Sequence, residues 1–362
     1  MGKINGKNIL IVVIWLLVIG LLVYSRFVNL GWGLPYPMHP DERNMANAVQ
    51  QLNCKVSNFR ECFNPRFFAY GQFPLYIGYL LIWAVRGFRD FGKIVINFEE
   101  AVMSLRVISA MASIINVFVL YKTILFISNI KNQIPARNAS QSVAGGSKIH
   151  IKYQKLLILL VLIFTPYAIQ FSHFGTTESL LMLFYSLIVY LSMRLLERHT
   201  TYEVVWLALV SGLAVATKVS STLFLAVPVF VLISKIKDQR SNLSSKLKVL
   251  NFTFVFALCT LIFALIFSPH NLINFHDFSS SIKYESDVAT GKALVFYTRQ
   301  FFNTIPIWFQ LTKVFPYALG WPVLILGGLG FLGGLGFKDR KINLLRFAFL
   351  IYFIPSAIIY AK

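Results

Sequence analysis

The chain is patterned as long apolar runs separated by short polar breaks. The first run, Ile9 to Tyr24, follows Lys3 and Lys7. No small-residue cleavage site comes after it, and bulky Tyr24, Arg26 and Phe27 stand there instead. The pattern predicts an uncleaved helix that enters the membrane from the cytoplasm, not a removed signal. Further runs are centred on 104–127, 156–171, 178–193, 203–216, 219–234, 250–267, 317–337 and 342–360. Nine spans are expected, several of them shorter than the roughly 20 residues of a straight crossing. Two segments between spans are long, 25–103 and 268–316, and neither reads as a linker. The first contains Phe73 to Val85, too short to span and expected to lie in the membrane interface. The second is rich in Phe, Tyr and Trp. Segments of this kind predict interfacial helices roofing a cavity. The six glycines from Gly327 to Gly336 fall inside an expected span and predict close helix packing. The architecture expected is all-α: a polytopic membrane protein in which residues 1–362 form one membrane-embedded domain.

Composition agrees. Of 362 residues, 57% are hydrophobic and 13% charged. A soluble domain is nearer 45–50% apolar and about 25% charged, and one soluble core cannot absorb the excess. The formal charge of +20 would suggest nucleic acid on a soluble face. Alternating the spans from a cytoplasmic N-terminus gives another account. The inner loops 128–155, 194–202, 235–249 and 338–341 then carry fifteen of the 34 Lys and Arg, the positive-inside pattern. No nucleic acid partner is required, and the expected location is a plasma or inner membrane. Three cysteines exclude a disulfide-dense scaffold and a four-cysteine zinc site. Cys54 and Cys62 lie together in the first long segment, where a disulfide and two free thiols are both open readings.

With this topology ten of the 14 acids fall on the outer side, so acid–base chemistry is expected to be extracytoplasmic. His39-Pro40-Asp41-Glu42 opens a helix-like stretch. Proline followed by two acids makes a good helix N-terminus, and the same carboxylates could also supply a base near the membrane surface. Glu178 opens the fourth span beside His173, either as an interfacial cap or as a functional acid. Lys218 is the only cation between Val204 and Ile233, and it either snorkels or meets a membrane-bound phosphate. The 268–316 loop adds Tyr297, Arg299 and other cations and rings suited to a sugar phosphate.

These pieces, in order, resemble a known superfamily. Arg26-Phe27 through Leu30-Gly31, His39-Pro40-Asp41-Glu42, Phe73-Pro74-Leu75 and Arg106-Val107-Ile108-Ser109-Ala110 cover the first part of the chain. Ser172-His173 to Glu178, Gly212-Leu213-Ala214 with Thr217-Lys218, and Ser268-Pro269 continue the series. The chain is similar to the GT-C glycosyltransferases that use polyprenyl-phosphate sugars, in the branch of protein O-mannosyltransferases and lipid A aminoarabinose transferases. The resemblance implies an integral membrane enzyme that moves a mannose-like or other hexose or pentose from a polyprenyl-phosphate donor. The acceptor would be a hydroxyl on protein, lipid or glycan at the outer face. It implies Asp41 as base or organiser of the site and Glu42 as its support. His39, Arg106, His173, Lys218, Tyr297 and Arg299 are expected to hold the donor and its phosphate. Glu178, with Asp41, is the position at which some relatives bind a divalent metal. The relatives carry more spans, so a C-terminally shortened chain is expected. The residues suit the chemistry independently: a lipid phosphate leaves with cationic help, and a base on the opposite face of the sugar predicts inversion. A transporter or flippase with Glu178 and Lys218 lining its path is the competing reading, but no paired repeat supports it.

Overall fold

The computed structural model describes residues 6–54, 59–131, 144–197, 200–238, 243–336 and 339–361. It is 79% helix, and no strand occurs among the described residues. The first seven helices are α1 (Gly6–Phe27), α2 (Pro40–Gln51), α3 (Phe73–Val85), α4 (Phe98–Lys131), α5 (Ala144–Ile163), α6 (Pro166–Ser172) and α7 (Glu178–Glu197). They are followed by α8 (Thr201–Thr217), α9 (Ala226–Asp238), α10 (Leu243–Phe267), α11 (His270–Ile273) and α12 (Phe275–Thr290). The last are α13 (Phe315–Leu319), α14 (Trp321–Gly333) and α15 (Arg340–Ile358).

All nine apolar runs fall on helix, but among the described residues fewer than nine pass as full spans. Among the described residues, five helical stretches are long and apolar enough to cross a membrane: Phe98–Ser128, Glu178–Glu197, Val219–Ile236, Lys246–Phe267 and Arg340–Ile358. Counting each of two bent pairs as one span gives seven. The first pair bends by 46° before Pro166, which has no N–H to continue the ladder. The second, expected as one span over 317–337, bends by 117° between Leu319 and Trp321. Gly320 sits at that corner with φ +79°, a conformation glycine adopts without steric cost. Thr201–Thr217 and, within α1, Val12–Phe27 are shorter apolar stretches. Parts of the basic loops (132–143, 198–199, 239–242 and 337–338) lie outside the described residues. Two cations expected to set orientation also act locally, because Arg194 bonds Glu203 at 3.0 Å and Lys341 pairs with Glu197.

The main core is built where α4, α7, α8, α9, α10 and α15 meet, around Ile188, Met193, Leu207, Ala214, Val227 and Leu344. Helices α8 and α10 approach closely at Gly212, where an added Cβ would lie 2.6 Å from the Phe263 Cβ. The first long segment is folded onto this bundle. Met45 and Val49 of α2, Leu75 and Tyr79 of α3, and Leu105 of α4 form a second buried cluster. A helix occupies Phe73–Val85, with Leu75, Gly78, Tyr79 and Ile82 on its buried face. Arg26 ties the end of α1 to the bundle: its Nε donates to Ser113 Oγ and its Nη2 to the Ile163 carbonyl, both at 2.8 Å. The glycines of α14 depart from expectation. Nothing lies within 4 Å of the Cβ position of Gly327, Gly328, Gly330 or Gly333, so no helix is packed against them among the described residues.

Gly212→Ala is expected to destabilise by about 1–3 kcal/mol, as overpacking does, while Gly327→Ala leaves stability unchanged or slightly raised. Melting temperatures of the two variants in detergent check this; equal effects would contradict the packing described.

Candidate functional site

Proline at the first turn and two acids start α2 as the sequence suggests. The two acids then part company. Glu42 turns inward and is 2% exposed, beside a fully buried Arg106 from α4. Arg106 Nε and Nη2 donate to the two Glu42 oxygens, each at 2.7 Å. Arg106 Nη1 donates to the carbonyls of Leu30 (2.8 Å) and Trp32 (2.7 Å). Glu42 Oε1 also accepts the Gly175 N–H at 2.6 Å. Glycine is needed at 175, since a Cβ there would lie 2.6 Å from the Leu105 Cβ. His173 continues the seam: its ring nitrogens sit 3.0 Å from the Val28 carbonyl and 2.9 Å from the Ile169 carbonyl. Trp32 Nε1 donates to the His173 carbonyl at 3.2 Å. The loop after α1, the start of α2, α4 and the turn before α7 are thereby fastened together.

A second joint brings up the loop before α3. Gly71 N–H donates to the Thr217 carbonyl at 2.9 Å, and a Cβ at 71 would lie 1.9 Å from the Ala216 oxygen. Gln72 is fully buried and fully used. Its backbone N–H donates to Ser268 Oγ (2.9 Å) and its Nε2 to Asn271 Oδ1 (3.0 Å). Its Oε1 accepts from the Tyr76 hydroxyl and the His270 N–H, both at 3.0 Å. His270 Nε2 lies 2.9 Å from the carbonyl of Cys62, and Cys62 is disulfide-bonded to Cys54. Of the two readings of this cysteine pair, the structure shows the bonded one.

Between the two joints lies a cluster of charges and rings. Helix α8 stops at Thr217, and Lys218 adopts extended backbone before the next turn begins. Lys218 Nζ is 3.8 Å from Glu178 Oε1 at the start of α7 and 4.8 Å from the centre of the Tyr70 ring. The charges of Asp41 and Glu178 both act on the Tyr70 hydroxyl. Burial, then the charges of Asp41 and Glu178, push that hydroxyl well above the ordinary tyrosine range, so Tyr70 stays a neutral donor. Glu285 of α12 feels both Lys218 and Asp41. Partial burial raises its carboxyl above the usual range, Lys218 opposes that shift, and Asp41 adds to it. Tyr297 is shifted upward by burial and by Glu285, Tyr284 and Asp41 in turn.

Asp41, Glu178, Lys218 and Tyr297, read as candidates from the sequence, are therefore brought into one neighbourhood. Glu42, Arg106 and His173 stand behind it with their polar atoms turned to protein groups. A buried guanidinium already engaged by a carboxylate and two carbonyls presents no open face to a lipid phosphate, so its placement does not support the phosphate contact expected for Arg106. His39 packs against Phe174 with ring centres 4.7 Å apart, and Arg299 is exposed on the turn that carries Tyr297. The sequence reading missed Tyr70 and Gln72. Tyr70 sits in an aromatic-rich stretch (Phe67, Phe68, Tyr70), where nothing marks one ring from another. Among the described residues no three His, Cys, Asp or Glu side chains gather as a ligand set, and Glu178 Oε1 faces Lys218 and the Thr177 hydroxyl.

Residues 152–270 match the family model described as dolichyl-phosphate-mannose-protein mannosyltransferase, a family of the GT-C superfamily. The matched stretch contains Glu178 and Lys218 and ends at His270; Asp41 lies outside it. No curated protein and no solved structure matches the chain. The match supports a membrane glycosyltransferase of the GT-C type and does not favour the transporter reading. Together with the apolar helices it describes a multi-pass integral membrane protein.

Glu42→Gln is expected to destabilise the fold by about 3–5 kcal/mol, because it leaves a buried guanidinium without its counter-charge. Thermal unfolding in detergent measures this, and a melting temperature equal to that of the native chain would remove the structural role given to the pair.

Proposed function

We propose that the protein transfers a sugar from a polyprenyl-phosphate carrier to a hydroxyl acceptor at the outer membrane face, with inversion at the anomeric carbon. The observation that carries this reading is Lys218, at the end of α8, standing 3.8 Å from Glu178 at the start of α7 and 4.8 Å from the centre of the Tyr70 ring; the charge of Asp41 acts on the same tyrosine. A lipid phosphate is a competent leaving group once its charge is met, so the site needs a cation and not a protonating acid. Lys218 is that cation, steered by Glu178 and left partly exposed. The acceptor hydroxyl must lose a proton as its oxygen attacks from the other side of the sugar. Asp41, free of any ion pair among the described residues, takes it. Glycosidases, by contrast, use two facing carboxyls. Glu42 supports Asp41 through the backbone by holding the first turn of α2 in place. Tyr297 and Arg299, on the turn after α12, are assigned to the sugar and acceptor. Acceptors on protein, lipid and glycan share this chemistry.

Asp41→Asn is expected to lower transfer by about 10²–10⁴-fold with an unchanged melting temperature. Lys218→Met is expected to cost about 10²–10³-fold in kcat and to raise the donor KM. Mass spectrometry of surface glycans and proteins from cells with and without the gene identifies sugar and acceptor. Complementation with Asp41→Asn then tests the base. Full transfer by that variant would sink the assignment.

A further inference from the structure

The far end of α7 carries a second group of charges. Helix α7 crosses the membrane over Glu178–Glu197, and its length of about 30 Å equals the hydrocarbon thickness of a bilayer. Glu178 and Glu197 therefore stand at opposite polar boundaries. Glu197 is level with lipid head groups, on the side away from Lys218. A cavity of about 210 Å³ opens there between α4 and α7, lined by Phe126, Tyr190, Arg194 and Glu197. That is far more room than one water needs.

Neighbouring helices fix the walls. Arg194 Nη2 donates to Glu203 Oε1 of α8 at 3.0 Å, and Glu203 is 3% exposed. Lys341 of α15 pairs with Glu197 Oε1 and lies 3.8 Å from the centre of the Phe126 ring. Phe126 and Tyr190 meet edge-on, with centres 5.9 Å apart. These bonds use only part of the two lining charges. A guanidinium has five N–H donors; the Arg194 side chain, 34% exposed, gives one to Glu203. The Glu197 side chain is 44% exposed, and its Oε2 has no partner among the described residues. The two residues are three apart on one helix, so their side chains are neighbours.

We propose that this cavity binds the head group of a membrane phospholipid of the phosphoethanolamine type. The lipid phosphate takes the remaining N–H groups of Arg194 as a charge-assisted pair, and the ammonium donates to Glu197. The lining offers one cation beside one anion, and a zwitterion answers both. An anionic head group would satisfy Arg194 but bring negative charge against the Glu197 carboxylate. A choline head group has no N–H to donate, and a quaternary ammonium gains most from free aromatic faces. Here Lys341 already covers a face of Phe126. Charge and donor count together select the primary ammonium.

The test is native mass spectrometry of the full chain released from nanodiscs. The probes are phosphatidylethanolamine, phosphatidylglycerol and phosphatidylcholine with identical acyl chains in equal amounts. The native chain is expected to retain the ethanolamine lipid about tenfold over either of the others, the weight of one charge-assisted hydrogen bond. Glu197→Gln keeps the shape and removes the charge, and the preference over phosphatidylglycerol is expected to fall about tenfold, to parity. Lys341→Met breaks the structural pair yet leaves the carboxylate, and is expected to keep the preference. Soluble phosphoethanolamine at the lipid's concentration is expected to displace none of it. Equal retention of the three lipids by the native chain overturns the proposal, as does an undiminished preference in Glu197→Gln. A loss in Lys341→Met as large as in Glu197→Gln would assign the effect to the fold and overturn the site. Displacement by the soluble compound would overturn the lipid as its source.

Discussion

The buried pair of Glu42 and Arg106 is the interaction on which the rest of the site depends. Two charges removed from water are tolerated only when geometry and hydrogen bonding are nearly complete. Here the carboxylate receives two guanidinium bonds and a backbone N–H, and the guanidinium also reaches two carbonyls. Such completeness leaves little freedom. The pair therefore acts as a template: the loop after α1, the first turn of α2, the start of α4 and the turn before α7 have one arrangement in which no buried charge is orphaned. Asp41, one residue from the pair, inherits its position from it.

The other half of the site depends on neutral polar groups. Gln72 makes three bonds with its side-chain amide and one with its backbone N–H, linking the loop before α3 to Ser268, His270 and Asn271. Gly71 brings the same loop against the end of α8. Lys218 owes its availability to the early end of that helix, since an ammonium inside a regular span would face lipid or a neighbouring helix. A charged frame on one side and a hydrogen-bonded frame on the other thus position a carboxylate and an ammonium.

The helices were readable because apolar runs of sufficient length leave the backbone few alternatives, and each of the nine runs became helix. Their number as full spans was harder to read, because Gly320 and Pro166 bend the chain inside runs that look continuous in composition. Asp41, Glu178 and Lys218 stood out because charge is rare in such a sequence. Their neighbours gave no comparable signal. Arg106 and Glu42 looked like site residues for the same reason, yet rarity of charge does not tell a substrate contact from an internal brace; only the partners do. Tyr70 and Gln72 were invisible because their roles arise from contacts with residues far away in the chain. The open glycines of α14 show the converse, a motif whose expected partner is not among the described residues.

The Gln72 joint also has a consequence in time. Its partner Ser268 lies 196 residues further along the chain. At a synthesis rate of about 5–20 residues per second, roughly 10–40 s separate the emergence of the two sides. During that interval the first loop has its disulfide and its packing on α4 available, but no anchor for Gln72. The wall carrying Tyr70 is thus completed only when the last residues of the matched stretch arrive. Assembly of the site is a late event in biogenesis, and a nascent chain released before His270 would hold Asp41 without the frame that gives it a counterpart.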